Sequence, residues 1–459
     1  MSAPADISAP AETALYAAHQ KVYSREVSGR FARLRLLAVF GLLGLFYGAS
    51  WLRWDGRQAV LWDLPGRKFH IFGLTFFPQD FILLTWLLVI AALSLFFFTA
   101  LAGRLWCGYA CPQTVWTQIY VWMERITEGN RSQQMKLDRG RWTWNKVGRK
   151  LAKQSLWIVF SLFTGVAFVG YFSPIRALMH GFVRAQLGGW ELFWVIFYSF
   201  ATYGNAGFLR EQLCKYMCPY ARFQSAMFDK RTLIIAYDAE RGEPRGARRH
   251  NETKALGDCI DCTLCVQVCP TGIDIRKGLQ YECIACAACI DVCDEVMKKI
   301  DRPLGLVRYT TSSGDLSARQ RLLRPRIVLY ATALTLLIAG FFWVVSQRIP
   351  LNVDVIRDRN TLSRELADGR TENVYSVRII NKDSRAHAFT VSAIGLDQIS
   401  VDADSPTQWV DAESVKSAVI RVRAAGAGLS GAHDIHIVTT AVDAPALRRE
   451  VDARFFYRR

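Results

Sequence analysis

Two short stretches carry the strongest pattern in the sequence: residues 259–270 read CIDCTLCVQVCP, and residues 283–294 read CIACAACIDVCD. Each stretch spaces four cysteines as C-x2-C-x2-C-x3-C, which is typical of bacterial ferredoxins with two [4Fe–4S] clusters. In that pattern, three cysteines of one run hold a cluster, and the last cysteine of the other run completes its ligands. The spacing therefore predicts a two-cluster ferredoxin module.

The crossed pattern divides the eight cysteines into two ligand sets. The first set is Cys259, Cys262, Cys265 and Cys293. The second set is Cys283, Cys286, Cys289 and Cys269. Zinc sites and disulfide scaffolds are the alternatives, but zinc sites usually contain one quartet in two pairs, and disulfides need an oxidising compartment. One departure from the ferredoxin pattern is Asp294, which stands after the last cysteine where ferredoxins often have proline.

Long apolar stretches surround this module in a chain of 459 residues with a net charge of +17. Five stretches approach the roughly 20 residues that a membrane-spanning helix needs. They are residues 36–52, 81–102, 156–172, 192–208 and 327–345. Five such stretches in one chain favour spanning helices over buried helices of a soluble protein. The basic residues flank these stretches, which fits a membrane protein and argues against nucleic-acid binding.

Lysine and arginine are unevenly distributed among the loops. The loop after the second stretch carries about ten, and the loop after the fourth carries about twenty. The two loops on the other side carry about six together. By the positive-inside rule, the N-terminus and the ferredoxin module are predicted to be cytoplasmic. Five spans then place the C-terminal region outside. In a bacterial inner membrane, this is the periplasmic side.

These features predict a multi-domain membrane protein in which a helical bundle of about five spans carries two further domains. The predicted parts are a cytoplasmic tail (1–35), a membrane domain with four spans (36–228), a cytoplasmic ferredoxin domain (229–325), a fifth span (326–346) and a periplasmic domain (347–459).

The periplasmic part alternates apolar and polar residues in six short runs. The runs are 351–356, 374–380, 388–394, 415–422, 435–440 and 451–457. A period of two with regular turns predicts an antiparallel, Ig-like β-sandwich, here without cysteine. His433 and His436 are candidate copper ligands, but residues three apart on a strand point to opposite faces, which favours surface histidines.

The remaining four cysteines form two C-x3-C-P motifs. Residues 106–112 read WCGYACP and contain Cys107 and Cys111, whereas residues 214–220 read CKYMCPY and contain Cys214 and Cys218. Each motif follows a predicted span, which suggests two related halves. If a helix continued through a motif, its two thiols would share one face. The proline suits a turn or the start of a new helix. Buried small hydrophobic cysteines are one interpretation, and a thiolate site for Cu(I) or redox chemistry is the other.

Together these motifs resemble the CcoG/FixG/RdxA family of cytochrome c oxidase accessory proteins. The resemblance rests on both C-x3-C-P motifs, the two-cluster segment, the last span and the C-terminal sandwich. The segment 229–246, which ends in RGEPRG, also resembles that family. Membrane polyferredoxins share single motifs but lack the sandwich.

The resemblance implies an inner-membrane iron–sulfur oxidoreductase that reduces Cu(II) to Cu(I) during assembly of a cbb3-type cytochrome c oxidase. It implies two [4Fe–4S] clusters on the eight cysteines, with copper as a substrate or transient ligand. The implied copper site consists of Cys107, Cys111, Cys214 and Cys218. The implied partners are the lipid bilayer, copper-delivery and oxidase assembly factors, and a cytoplasmic electron donor. The identity of the donor stays open, and so does the question of whether the protein forms a homodimer.

Two other functions remain open from the sequence. One is quinol-linked electron transfer without copper chemistry, as in the polyferredoxins, and the other is a non-enzymatic scaffold for oxidase assembly. Hydrolysis is not indicated, because the sequence has no nucleophile elbow, phosphate-binding loop or H-E-x-x-H motif.

Overall fold

The computed structural model describes residues 21–247, 256–312, 314, 317–358, 363–425 and 429–457. Contacts divide the chain into two compact units. The first unit comprises the residues up to Leu43, Leu95–Thr164 and Phe197–Val328. The second unit comprises Gly44–Ser94, Gly165–Ile196 and Leu329–Arg459. The cysteine-rich segments all belong to the first unit, and the C-terminal β-domain belongs to the second.

The helices follow one another along the chain with short connections. They are α1 (Arg30–Ala49), α2 (Phe81–Ala102), α3 (Leu105–Tyr109), α4 (Pro112–Glu128), α5 (Arg131–Arg139), α6 (Trp144–Val169), α7 (Ile175–Val183), α8 (Gly189–Thr202), α9 (Pro219–Met227), α10 (Ala239–Gly242), α11 (Leu264–Gln267), α12 (Ala288–Lys299), α13 (Ala318–Leu322) and α14 (Pro325–Ser346). Two π-helical segments, Tyr203–Leu209 and Leu213–Met217, lie between α8 and α9.

The strands fall mainly in the C-terminal domain. They are β1 (Arg53–Trp54), β2 (Arg57–Gln58), β3 (Val60–Asp63), β4 (Lys68–Ile71), β5 (Leu74–Phe76), β6 (Ile234–Tyr237), β7 (Val307–Thr310), β8 (Leu351–Arg357), β9 (Arg364–Glu365), β10 (Arg370–Asn381), β11 (His387–Ile394), β12 (Ser400–Ala403), β13 (Gln408–Val410), β14 (Val415–Ala425), β15 (Gly431–Ala441) and β16 (Arg448–Tyr457).

Among the described residues, five helical segments are long and apolar enough to cross a membrane: α1, α2 with the turn before it, α6, α8 with its π-helical continuation, and α14. They contain 20 to 26 residues, which at about 1.5 Å per residue match the hydrocarbon thickness of a bilayer. Large apolar side chains such as Leu37, Phe81 and Phe342 are exposed on them, as expected of surfaces that contact lipid. The five predicted apolar stretches are confirmed as helices, and the chain is an integral membrane protein.

Helix α6 begins well before the apolar stretch that predicted it, because its first turns take part in a buried ion network. The carboxylate of Glu128, which is fully buried, lies 2.9 Å from Nζ of Lys150 and 3.0 Å from Nζ of Lys153. Nearby, Glu124 lies 3.0 Å from Nη1 of Arg210. Buried charges require such partners. The network fastens α4 to α6 and to the segment before Cys214.

Residues 21–29, part of the predicted tail (1–35), form neither helix nor strand, yet they are held to the first unit. Nζ of Lys21 and the hydroxyl of Tyr23 donate to Asp138 at 3.2 and 2.7 Å. The backbone N–H of Arg25 donates to the carbonyl of Gln267 at 2.8 Å. Helix α1 then starts at Arg30, inside the range predicted as tail.

The C-terminal domain is a sandwich of two antiparallel sheets. One sheet has the order β12-β14-β10-β8, with β9 beside β10, and the other has the order β13-β11-β15-β16. Inward-facing residues such as Ile379, Ile420, Ile435 and Phe455 are fully buried between the sheets. All six predicted runs are confirmed as strands, and the short strands β9, β12 and β13 were not predicted.

The two candidate copper ligands of this domain, His433 and His436, occupy separate surface positions. His433 is paired with Phe455, whereas His436 is paired with Asp452, so the two side chains lie on opposite faces. Nδ1 of His436 is 2.8 Å from Asp452 Oδ1, and the ring of His433 packs against Tyr457. The geometry therefore agrees with surface histidines.

Candidate functional site

The two cysteine runs have the same backbone geometry. In the first run, Asp261 and Thr263 have φ values of 53° and 55°. In the second run, Ala285 and Ala287 have φ values of 53° and 60°. Left-handed residues that are not glycine are uncommon, and here they recur at matching positions on either side of the second cysteine. Each loop thereby turns back on itself, so three cysteines of one run can face a common point, and α11 or α12 follows directly.

Two cavities in the first unit are lined by the cysteines in the crossed arrangement that the spacing predicts. One cavity is lined by Cys259, Cys262, Cys265 and Cys293. The other is lined by Cys269, Cys283, Cys286 and Cys289, together with Cys265. Among the described residues, no three His, Cys, Asp or Glu side chains come close enough to share a single metal ion. A cubane instead takes one thiolate at each of four corners, and both donor sets fit that requirement.

Burial controls the chemistry of these thiols. It raises the pKa of Cys283 and of Cys293 to about 12, and that of Cys265 to about 11. Without metal, Cys265, Cys283 and Cys293 therefore keep their protons at neutral pH, and metal ligation must replace those protons. Cys262 differs from the other seven because it is exposed to solvent.

The C-x3-C-P motifs do not lie within continuous helices, so the two thiols of a motif do not share one helical face. Cys107 lies in α3, and Cys111 is the N-cap of α4 with extended backbone angles (φ −62°, ψ 128°). Cys214 lies in a π-helical segment, and Cys218 is the extended N-cap of α9. In each motif the proline is the first residue of a new helix, as the second of the two predicted roles for this proline requires.

The four thiols of the two motifs nevertheless come together. Burial, together with the nearby thiols of Cys111, Cys214 and Cys218, raises the pKa of Cys107 to about 12. Burial and two of its neighbouring thiols raise the pKa of Cys214 to about 11. Sγ of Cys107 also contacts Oε1 of the fully buried Gln224 at 3.3 Å. The four cysteines therefore lie within electrostatic range of one another and form one partly buried group, the thiol cluster.

Gln113, which follows Cys111-Pro112, connects the two motifs. Its Nε2 donates to the backbone carbonyls of Asn205 and Arg210 at 2.9 and 3.2 Å. Both carbonyls belong to the irregular segment before Cys214. This segment needs such a partner, because π-helical geometry and the left-handed Arg210 (φ 37°) interrupt the regular backbone hydrogen bonds. Gln113 thus fixes the second motif relative to the first.

The first motif lies directly against one of the cluster-ligand loops. Gly108 is buried, and a β-carbon built on it would come within 3.0 Å of backbone atoms of Ile284, Ala285 and Cys286. The hydroxyl of Tyr309 donates to the carbonyl of Ala285 at 2.7 Å and supports the loop from β7. The thiol cluster therefore neighbours the ligand set that contains Cys283 and Cys286.

A cavity of about 990 Å³ in the first unit reaches both groups of cysteines. It is bordered by Cys214 and by Cys286, and residues of α4 such as Gln118 and Trp122 form part of its wall. Such a volume is in the range of small-molecule sites. The cavity offers a route from outside the protein to the thiol cluster.

Sequence reasoning identified all twelve cysteines but not the residues that arrange them. Gly108 and Gln113 stand inside or beside a C-x3-C-P motif, and that adjacency was the available signal. Arg104 and Gln224 also approach the thiols, and no spacing in the sequence marks them.

Family models match most of the chain. A 4Fe–4S dicluster domain matches residues 209–312, which include Cys214, Cys218 and all eight ferredoxin cysteines. A 4Fe–4S binding domain matches residues 84–128, which include Cys107 and Cys111. A model described as the Ig-like fold at the C-terminus of FixG matches residues 341–458.

Three curated relatives each match 83% of the chain. Protein RdxA of Cereibacter sphaeroides is 41% identical over 397 residues, with 83% of this chain and 84% of RdxA covered. Protein RdxB of the same organism is 40% identical, with 83% of each chain covered. The nitrogen fixation protein FixG of Rhizobium meliloti is 36% identical, with 83% of this chain and 80% of FixG covered.

A crystal structure of a FixG-related protein from Vibrio parahaemolyticus matches 23% of this chain and 95% of its own, with 28% identity and a TM-score of 0.21. Identity above 30% across most of RdxA, RdxB and FixG, together with the domain matches, establishes the family of this chain. The chain therefore belongs to the FixG/RdxA family of iron–sulfur proteins.

Proposed function

We propose that this protein is a membrane-bound oxidoreductase that reduces Cu(II) to Cu(I) for the assembly of a cbb3-type cytochrome c oxidase. One observation carries the proposal: four thiols from two C-x3-C-P motifs lie near one another, and the first motif packs against the loop that bears Cys283 and Cys286. A soft-ligand site next to an electron-transfer site is the arrangement that cupric reduction needs.

The cysteines have two separate roles in this proposal. The eight ferredoxin cysteines would hold two [4Fe–4S] clusters, which supply one-electron transfer when bound. The thiols of Cys107, Cys111, Cys214 and Cys218 would bind the product, because thiolates prefer Cu(I) to Cu(II). Each cupric ion gains one electron, and an external donor of unidentified chemistry loses it.

The cavity beside Cys214 supports access of copper to the thiols. Cys214 is partly exposed and borders the cavity, whereas Gln224 closes the side near Cys107. Copper would enter from the cavity, meet Cys214 first and then be shared with the other thiols.

Replacing the four thiols by serine tests this function. The quadruple variant C107S/C111S/C214S/C218S, reduced anaerobically, should lose copper reduction while the iron content and the cluster signals in electron paramagnetic resonance stay unchanged. M217L is the matched control, because it removes an exposed thioether sulfur that lies in the sequence between Cys214 and Cys218. The M217L variant should reduce copper normally.

Each alternative function has its own outcome in this experiment. A quadruple variant that still reduces Cu(II) at the normal rate would remove the thiols from the reaction. A wild-type protein that leaves Cu(II) untouched but oxidises quinol would favour electron transfer without copper. Cluster-ligand variants that still support oxidase assembly in cells would favour a scaffold.

We also propose the bilayer orientation that the basic loops favour, with the ferredoxin module cytoplasmic and the sandwich periplasmic. Oxidase assembly and copper-delivery factors would then meet the protein from the membrane, and the donor from the cytoplasm. Protease added to intact spheroplasts should digest residues 347–459 and spare the ferredoxin module. Digestion of the ferredoxin module in intact spheroplasts would reverse the orientation.

A further inference from the structure

A buried cation lies between the thiol cluster and the neighbouring ferredoxin loop. Arg104, between α2 and α3, is only 4% exposed. Its Nη1 donates to the carbonyl of Tyr281, just before the second cysteine run, and its Nη2 donates to the carbonyl of Ala221 in α9. Its Nε is buried without a hydrogen-bond partner. One guanidinium therefore contacts both the cluster-ligand segment and the helix that follows Cys218.

Within the part of the chain that the structure describes, no ion pair joins the buried Arg104 to a carboxylate. Buried charges are rarely retained without a counter-charge, because the loss of hydration is costly. Two carbonyl dipoles satisfy part of its hydrogen bonding but supply no net negative charge.

Three cysteines whose thiols can become anionic lie near Arg104. Burial raises the pKa of Cys107, Cys214 and Cys283, and the charge of Arg104 opposes that rise at all three thiols. Two of them belong to the thiol cluster, and the third belongs to the adjacent ligand set. One buried positive charge, held by the carbonyls of Tyr281 and Ala221, therefore lies in the neighbourhood where thiolates form when metal binds.

We propose that Arg104 is the counter-charge of a copper–thiolate centre formed by the two C-x3-C-P motifs. This inference rests on the proposed function and specifies the charge of the site's occupied state. A cuprous ion held by two or more thiolates carries net negative charge, since each thiolate contributes one negative charge and the ion one positive charge. The guanidinium neutralises that charge inside the protein, where it is poorly screened. Arg104 is a positioning residue, because it acts through the thiols.

The alternative role for Arg104 is mechanical: it would only join Tyr281 to Ala221. The two roles are separated by R104K, which keeps the charge but lacks the planar fork that reaches both carbonyls. R104M and R104Q remove the charge, and the amide of R104Q can still donate to one carbonyl. Two neutral variants keep the comparison valid if one of them accumulates poorly.

The test is the affinity of the anaerobic protein for Cu(I), measured by competition with a chromogenic cuprous chelator. Iron content and cluster signals are recorded on every variant. We expect R104M and R104Q to bind Cu(I) roughly tenfold to a hundredfold more weakly than wild type, and R104K to stay within about threefold of it. Equal affinity in all variants, or a loss in R104K as large as in the neutral variants, would overturn the counter-charge role.

Failure of this inference is distinguishable from failure of the proposed function. If wild type and the quadruple cysteine variant bind Cu(I) equally, the thiol site itself is wrong. If the quadruple variant loses binding but the neutral Arg104 variants do not, the copper site stands and only the role of Arg104 is refuted.

Discussion

Gly108 of the first C-x3-C-P motif packs closely against Ile284 of the ferredoxin module: a β-carbon on Gly108 would lie 2.7 Å from the carbonyl oxygen of Ile284. Real β-carbons essentially never come so near to another atom. Position 108, directly after Cys107, must therefore be glycine for the motif to lie against the loop that bears Cys283 and Cys286.

The first prediction is that G108A disturbs this contact. The added methyl group meets backbone atoms that cannot rotate away, so we expect a loss of about 1–3 kcal/mol in unfolding free energy. The signal of one cluster in electron paramagnetic resonance should also change. The matched control is G148A in α6, where a β-carbon meets nothing within 4 Å and alanine should stabilise the helix slightly. Equal behaviour of the two variants would refute the close approach.

The second prediction concerns the link between the two motifs. Q113L removes the hydrogen bonds to Asn205 and Arg210 and leaves their carbonyls without that donor. We expect a loss of about 1–3 kcal/mol and slower copper reduction, because the second motif loses its fixed position. Q118L, further along the same helix and bordering the large cavity, should keep near wild-type stability. Thermal unfolding in detergent and initial reduction rates are the measurements, and a Q113L rate equal to that of Q118L would exclude the link.

The third prediction concerns an ion cluster of the second unit. Asp80 lies 2.6 Å from Nη2 of Arg348 and 2.7 Å from Nζ of Lys382, and all three side chains are largely buried. D80N would leave two buried cations poorly compensated, so we expect a loss of about 3–5 kcal/mol. D354N, which affects an exposed contact with Gln79, should change stability by less than about 0.5 kcal/mol. Thermal unfolding monitored in the sandwich tests both variants, and an unaffected D80N would contradict the role of this cluster.

The fourth prediction is acid release of residues 21–29. Burial alone would raise the pKa of Asp138, but hydrogen bonds from Lys150 and Tyr23 and the charge of Lys21 outweigh it and lower that pKa. A lowered carboxyl pKa stabilises the folded state above the ordinary value of about 3.9. That stability disappears as the pH falls through the folded-state pKa.

Hydrogen exchange at the Arg25 amide, which is bonded to Gln267, reports this release. We expect slow exchange at neutral pH and faster exchange in D138N at the same pH, because the amide of asparagine cannot pair with Lys21 and Lys150. The control is E240Q, whose side chain is exposed in α10. Slow exchange in D138N would show that this segment is held by other contacts.

The sequence predicted those features that depend on local spacing. The eight ferredoxin cysteines, the apolar lengths of the spans and the alternation in the sandwich each have a fixed period, and a period can be read without a structure. The short strands β12 and β13 escaped prediction because each offers only three or four residues, too few to establish alternation. Helix α6 was predicted too short because Lys150 and Lys153 look like loop residues until Glu128 is seen beside them.

The contacts that assemble the candidate site depend on residues far apart in sequence. Gln113 meets Arg210, and Arg104 meets both Ala221 and Tyr281, although each pair is widely separated along the chain. No local pattern encodes such pairs. The assumption that one helix continues through each C-x3-C-P motif was also wrong. The proline of each motif starts a new helix, and the cysteine before it has extended backbone angles.

The central claim is that electrons from the iron–sulfur clusters, which the eight ferredoxin cysteines would hold, reach Cu(II) at the thiols of Cys107, Cys111, Cys214 and Cys218. The most direct measurement is anaerobic mixing of pre-reduced protein with Cu(II), following cluster oxidation by absorbance and Cu(I) formation with a cuprous chelator. The account predicts one cuprous ion for each electron lost by wild type, and no coupled oxidation in the quadruple serine variant. Equal rates of cluster oxidation and Cu(I) formation in both proteins would contradict it.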